Sequence, residues 1–169
     1  MTSLQRVILC LAVLLVGSAG PAISQDQTDG AITLSGAWSR ATPPAARNGA
    51  LYLTIRNNGA APDRLIAIAT DAAASAELHE MTMDNGVMRM RALSEGLTVA
   101  PGATVALAPG GLHSMLIGLK NRLQTGDNFT ATAIFEIAGR IEFTVPVMTM
   151  GARAPHGSGM EMHHGGTKP

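Results

Sequence analysis

The chain of 169 residues holds one cysteine, Cys10, and that cysteine sits inside an apolar run near the N-terminus. Arg6 is followed by the apolar stretch Val7 to Val16 and then by the small-residue segment GSAGPAIS. Basic, then apolar, then small is the order of a secretory signal peptide. The run is shorter than the roughly 20 residues a membrane-spanning helix needs. Cleavage is expected after Ser24, so residues 1–24 form the signal and Gln25 begins the mature chain. No cysteine stands at a lipoprotein cleavage position. The mature chain then lacks any disulfide, thiolate nucleophile or thiolate ligand. That excludes a blue-copper electron-transfer centre, which needs a cysteine beside two histidines.

Charge of one sign is equally lacking. Lys and Arg number 12 against 12 Asp and Glu, and loss of Arg6 leaves eleven basic residues facing twelve acidic ones. With no cluster of Lys or Arg, the chain has no electrostatic footprint for nucleic acid. No Ser/His/Asp arrangement, glycine-rich phosphate loop or internal repeat is present. Histidine is absent from the expected mature N-terminus, which excludes an oxidative copper enzyme built on the terminal amine. The chain reads as a non-enzyme. Residues 25–78 contain neither methionine nor histidine. Apart from Met1, all methionines fall between Met81 and Met162, and all histidines between His79 and His164. Core methionines would be spread more evenly, so this clustering has a local cause.

After a polar leader, QDQTDG, the chain alternates short segments with turn residues about every ten positions. The expected strands are Ile32 to Arg40, Gly49 to Arg56, Leu65 to Thr70, Ala76 to Met83, Val87 to Leu93, Thr104 to Ala108, His113 to Leu119, Phe129 to Ile137 and Arg140 to Val147. Between them stand TPPAA, NNGAAPD, DNG, APGA, APGG and TGDN, all turn-forming combinations. Ala72 to Glu77 admits one helical turn. Many short strands at this spacing predict an all-β, Greek-key sandwich or barrel. The folded domain is expected over residues 25–150. Residues 151–169 form a Gly-rich tail without core-forming side chains.

Asn85-Gly86 between two alternating runs is a strong hairpin signal. A two-residue turn there puts Met83 opposite Met88, Met81 opposite Met90, Glu80 opposite Arg91 and His79 opposite Ala92. One face then carries His79, Met81, Met83, Met88 and Met90, and the other carries Glu80, Thr82, Arg89 and Arg91. Taken singly, each of these methionines reads as core filler. Together with His113 and Met115, which share a strand face two residues apart, they supply a second group of soft donors. A His/Met set favours Cu(I) over zinc, magnesium or calcium. In an oxidising compartment methionine also avoids the disulfide formation that would disable paired cysteines. Trp38, Arg40 and Tyr52 read as core and barrel support, with Trp38 lining the site as the open alternative.

His79, ten residues, Met90, twenty-two residues, then His113, Ser114 and Met115 resembles the H-x10-M-x21/22-H-x-M motif of the PCu(A)C-type periplasmic copper chaperones. The flanking text is similar too: AWSR at 37–40, GALYLTIRN at 49–57, DRLIAIATDAAASAELHEM at 63–81, PGGLHSMLIGL at 109–119, GD at 126–127 and VPV at 145–147. The resemblance covers about residues 31–147. It implies a cupredoxin-like domain binding Cu(I) through His79, Met90, His113 and Met115. It further implies delivery to the copper centre of a respiratory oxidase, through an oxidase subunit or its assembly factor. Membrane contact would come only through that partner. A copper buffer or scavenger would use the same residues. The tail gathers His156, Met160, Met162, His163 and His164, an expected second copper site that accepts Cu(II).

Overall fold

The computed structural model describes residues 27–154. The expected signal peptide, its cleavage site and the tail donors His156, Met160, Met162, His163 and His164 lie outside the described residues. Among those described there is no helix; eleven strands form the domain. They are β1 (Gln27–Asp29), β2 (Ile32–Arg40), β3 (Asn48–Asn57), β4 (Asp63–Thr70), β5 (Ala73–Asp84), β6 (Val87–Ala92), β7 (Leu97–Val99), β8 (Thr104–Leu107), β9 (His113–Leu119), β10 (Asn128–Phe135) and β11 (Arg140–Met148).

Strand order runs β6-β5-β9-β3-β2-β11-β10-β4-β7, with β1 added to β2 and β8 added to β3. One layer runs from β6 to β2, and the other from β11 to β7. A short parallel pairing, Val147 with Ser39 and Met148 with Arg40, joins them. The core lies between the layers. Leu51, Leu53 and Ile55 of β3, Leu78 of β5 and Leu116 of β9 meet Leu65 and Ile68 of β4, Ala131, Ala133 and Phe135 of β10, and Ile141, Phe143 and Val145 of β11. Their alternation with outward residues is the period of two that a half-buried strand requires.

Two departures from the sequence reading concern the strands that carry the site. Ala72 to Glu77 is not a helical turn. From Ala73 onward the backbone is already β5, with Ala73, Ser75, Ala76 and Glu77 paired to Leu119, Ile117, Leu116 and Met115 of β9. Alanine is the best intrinsic helix former, but propensity amounts to less than about 1 kcal/mol per residue, and the ladder to a neighbouring strand overrides it. The second departure is a bulge in β2. Its register to β3 shifts between Ser35 and Trp38, around Gly36 at φ 56°. The extra residue reverses the alternation, so Trp38 pairs with Tyr52 and Ser39 pairs with Leu51. Strands β1 and β7, three residues each, were not expected from the sequence.

The β5–β6 hairpin follows the register read from Asn85-Gly86. Asp84 pairs with Val87, Met83 with Met88, Thr82 with Arg89, Met81 with Met90, Glu80 with Arg91 and His79 with Ala92. Asn85 at φ 49° and Gly86 at φ 81° are both left-handed, as a type I′ turn demands. On one face Arg91 meets Glu80 at 2.8 Å and Arg89 meets Asp84 at 3.0 Å. The methionines on the other face are not core filler: Met83, Met88 and Met90 are 67%, 55% and 52% exposed. Stability should therefore divide sharply between the layers and the hairpin. Leu53→Ala is expected to cost about 2–5 kcal/mol, and Met88→Ala no more than about 0.5 kcal/mol. Chemical denaturation of the two variants checks this.

Candidate metal centre

The site is built on the outer face of the β6-β5-β9-β3-β2 layer. His79 of β5 lies opposite His113 of β9. Their rings stand edge-on, centroids 5.8 Å apart and planes inclined at 66°. Both histidines are buried, although their side chains point away from the central core. His113 is held from behind. Its Nδ1 lies 3.0 Å from the carbonyl oxygen of Gly111, so that nitrogen carries the hydrogen and donates it. The same carbonyl accepts the backbone N–H of Met81 at 3.2 Å, tying the loop before β9 to the base of the hairpin. Nε2 of His113 keeps its lone pair.

His79 has the opposite arrangement. Its Nε2 lies 3.1 Å from a carboxylate oxygen of Glu77, two residues earlier on the same strand face. Carboxylate accepts only, so the neutral ring donates from Nε2 and leaves its lone pair on Nδ1. That Nδ1 is buried without a hydrogen-bond partner. An orphaned buried acceptor is costly unless something fills its place. Glu77 was not singled out in the sequence: it falls in the expected strand Ala76 to Met83, two residues before His79, but also in the alternative helical turn Ala72 to Glu77, and the pairing of β5 with β9 decides for the strand. A carboxylate that fixes the ring of a histidine while freeing the other nitrogen is the usual support for a metal ligand.

Around the imidazoles the thioethers stand on both sides. Met115 is half-buried and faces Glu77, one row from His113 toward the start of β5. Met90 faces Met81, one row from His79 in the other direction, on β6. With strands about 4.8 Å apart and residues about 3.4 Å apart, Met90 and Met115 are about 16 Å apart along a flat sheet. The structure therefore brings His79 and His113 together, places Met115 beside them, and leaves Met90 on an exposed arm. Met81, half-buried on the same face, is a further thioether close to the pair. Among the described residues no three His, Cys, Asp or Glu side chains gather in a metal-holding group. The donors on this face are imidazoles and thioethers, which suit a soft cation.

Residues 32–147 match the family profile described as "Putative lipoprotein LpqE-like". The chain belongs to the LpqE-like family. It is 32% identical over 145 residues to "Putative lipoprotein Lxx21020" of Leifsonia xyli subsp. xyli, covering 81% of this chain and 86% of that protein. Among solved structures it is similar to the apo PCuAC domain from PmoF1, at 26% identity and TM-score 0.63, over 74% of this chain and 99% of that one. It is also similar to apo-DR1885 from Deinococcus radiodurans, at 27% identity and TM-score 0.56, over 88% and 97% of the two chains. The fold is the cupredoxin-like sandwich of the PCuAC domains.

In this LpqE-like chain the face continues past β9 into an aromatic cluster. Leu51 pairs with Ser114, so Tyr52 follows beside His113, and Trp38 lies opposite Tyr52. The two rings are 4.6 Å apart at their centroids and inclined at 37°. The guanidinium of Arg40 sits 5.8 Å over both. Arg40 in turn donates from Nε to the carbonyl oxygen of Ala152 at 2.7 Å. Trp38 and Tyr52, both buried, and the half-buried Arg40 thus cluster on the site face, outside the central core, where Trp38 takes the alternative position left open for it. Ala152, beyond the last strand, thus contacts the cluster through its carbonyl.

Burial pushes the Tyr52 phenol above 10.0, with Arg40 pulling the other way. A raised folded value means the stabilisation is complete below about 10 and is lost as pH rises through the folded value. Spectrophotometric titration of the single tyrosine should give a midpoint above 10 in the native protein and near 10 in denaturant. For the imidazoles, long-range proton–nitrogen spectra should show His113 protonated on Nδ1 and His79 on Nε2. Glu77→Ala should remove that preference at His79 and leave His113 unchanged.

Proposed function

We propose that this chain is an exported copper chaperone that carries one Cu(I) on His79, His113, Met115 and Met90, and passes it to a copper-accepting protein. A single observation carries the reading. Two buried imidazoles stand edge-on to each other, one with an orphaned Nδ1, among thioethers on a sheet face free of cysteine. The family's description as lipoproteins and the similarity to PCuAC domains support export and copper binding respectively. The recipient proposed is the copper centre of a respiratory oxidase or its assembly factor.

In this reading the ligands are neutral and the cargo is a monocation. Nε2 of His113 and Nδ1 of His79 are the nitrogen donors, each oriented by the hydrogen bond on its other ring nitrogen. Glu77 then supplies a negative charge against His79 that offsets the charge of the ion. Met115 is the fixed sulfur. Met90 closes the set when the hairpin curls over the imidazole pair, and it is the ligand an acceptor reaches first. Its exposure of 52% supports that role. The fold has no thiolate to offer, so loaded protein should show no intense blue absorption with Cu(II).

His113→Ala and Met115→Ala should each weaken Cu(I) binding by well over tenfold without unfolding the domain. Met90→Leu should act differently, speeding release of the ion more than it weakens binding at equilibrium. Glu77→Ala should cost about 10- to 100-fold in affinity through the loss of orientation at His79. Competition against a Cu(I) chelator, with transfer rates to it, measures all four. Unchanged affinity in both His113→Ala and Met115→Ala would overturn the ligand assignment.

The tail donors are proposed to hold a second copper as Cu(II), with His156, His163 and His164 supplying nitrogen and Met160 and Met162 retaining the ion once reduced. Because Ala152 holds Arg40, the test is a chain ending at Ala154. It should keep Cu(I) binding and lose Cu(II) uptake. Full Cu(II) stoichiometry in the shortened chain would leave the tail without this role.

A further inference from the structure

The hairpin carries more thioethers than a four-ligand site uses. Met81, Met83 and Met88 share the outer face with Met90, and packing does not account for them. Met83 and Met88 are more than half exposed, and Met81 is half-buried. The backbone pattern brings them close. Leu93 donates to the carbonyl of Leu78 at 2.8 Å, which makes that pair a hydrogen-bonded one. Hydrogen-bonded and open pairs alternate along an antiparallel ladder, so Met81–Met90 and Met83–Met88 are both open pairs. Open pairs set their Cα atoms about 4.5 Å apart, the spacing at which side chains approach most closely. Each pair lies within reach of the next along the strand.

From Met81 to the turn no charge shares this face, and Glu77, the carboxylate on it, lies beyond His79 and against that ring. Glu80 and Asp84 point the other way and are engaged by Arg91 and Arg89. The surface is therefore a patch of neutral, polarisable sulfur, bare of the oxygen donors that calcium, magnesium or zinc would need. Thioether-only sites take soft monovalent ions. We propose that Met81, Met83 and Met88 form a second site for a soft monovalent cation, separate from the imidazole pair. It rests on the hairpin register and exposure alone, and does not require the His79–His113 site to be loaded. The Met81–Met90 row joins the two, with Met81 in this site and Met90 in the other, so an ion caught at the exposed end is one step from the imidazoles. The ladder then serves as an entry track in which donors change from sulfur to nitrogen as burial increases.

Silver(I) is the probe, because it matches Cu(I) in charge and softness and does not change oxidation state. The exported chain with its tail, carrying carbon-13 in the methionine methyl groups, is titrated with Ag(I) and followed by NMR. The Met83 and Met88 methyl signals should shift in step with each other as silver is added beyond the first equivalent. The combined variant Met83→Leu and Met88→Leu should bind one silver fewer, with its Met115 response and its melting temperature unchanged. Addition of Zn(II) should leave the Met83 and Met88 signals where they were. Signals from Met83 and Met88 that stay fixed at saturating silver would overturn the proposal, as would an unchanged silver count in the double variant. Failure of the imidazole site reads out separately, as a Met115 signal that ignores silver while Met83 and Met88 respond.

Discussion

The register between β5 and β9 governs everything on the outer face. It sets His79 opposite His113 and Glu77 opposite Met115. A slip of one residue would turn either strand's donors into the core, because side chains alternate with a period of two. Several contacts hold the register. Leu78 and Leu116 are buried between the layers on the reverse side, so slipping would expose them. The carbonyl of Gly111 accepts both the Met81 backbone N–H and the His113 ring, which fixes strand position and imidazole orientation together. The hairpin extends this register to β6 and carries Met90 and the other thioethers with it.

A two-layer antiparallel sandwich normally buries one face of each sheet and leaves the other to solvent. Here the outer face of one layer is divided. Across β9, β3 and β2 it carries buried histidine and a Trp38–Tyr52 stack beneath Arg40, and across the tip of β5 and β6 it is bare. Leu53→Ala removes packing that the fold needs; truncating Met88 removes almost none. Methionines so placed contribute little to packing, and this separates them from the usual core use of the residue.

Much of this was legible before any coordinates, and the reasons are local. Asn85-Gly86 determines a two-residue turn by itself, since both residues tolerate positive φ, and the turn then dictates every pair down to His79 and Ala92. The spacing of His113 and Met115 likewise needs only an extended strand. What stayed hidden depended on distant partners. The beginning of β5 is a run of small residues whose strand conformation comes from β9, and the choice between strand and helical turn at Glu77 rested on that pairing. Trp38 reads as an inward residue on simple alternation from Ile32 and Leu34. The bulge at Gly36 turns it outward, and nothing short of the β2–β3 pairing reveals that. The motif gives the spacing of Met90 along the chain but not its place on the sheet. The sheet lattice separates it from Met115 by two strands and four residues.

That separation has a consequence for how a carrier of this design would work. A carrier must hold its ion against loss to solvent and yet surrender it to a partner, and a rigid buried tetrad does only the first. On the proposed reading the two tasks fall to different donors. His79 and His113 are buried, prealigned by Glu77 and Gly111, and lose little entropy on binding. Met90 sits on a hairpin whose hold on the rest of the domain is one edge of β5, and its engagement requires that hairpin to bend. The free energy of bending opposes its binding, so its bond is the weakest of the four and the first to open. Thioether is a weak, uncharged donor, which keeps that last bond adjustable without any proton having to move. Retention then resides in the sandwich and release in the hairpin, joined through the single pair of residues, Met81 and Met90, that faces both.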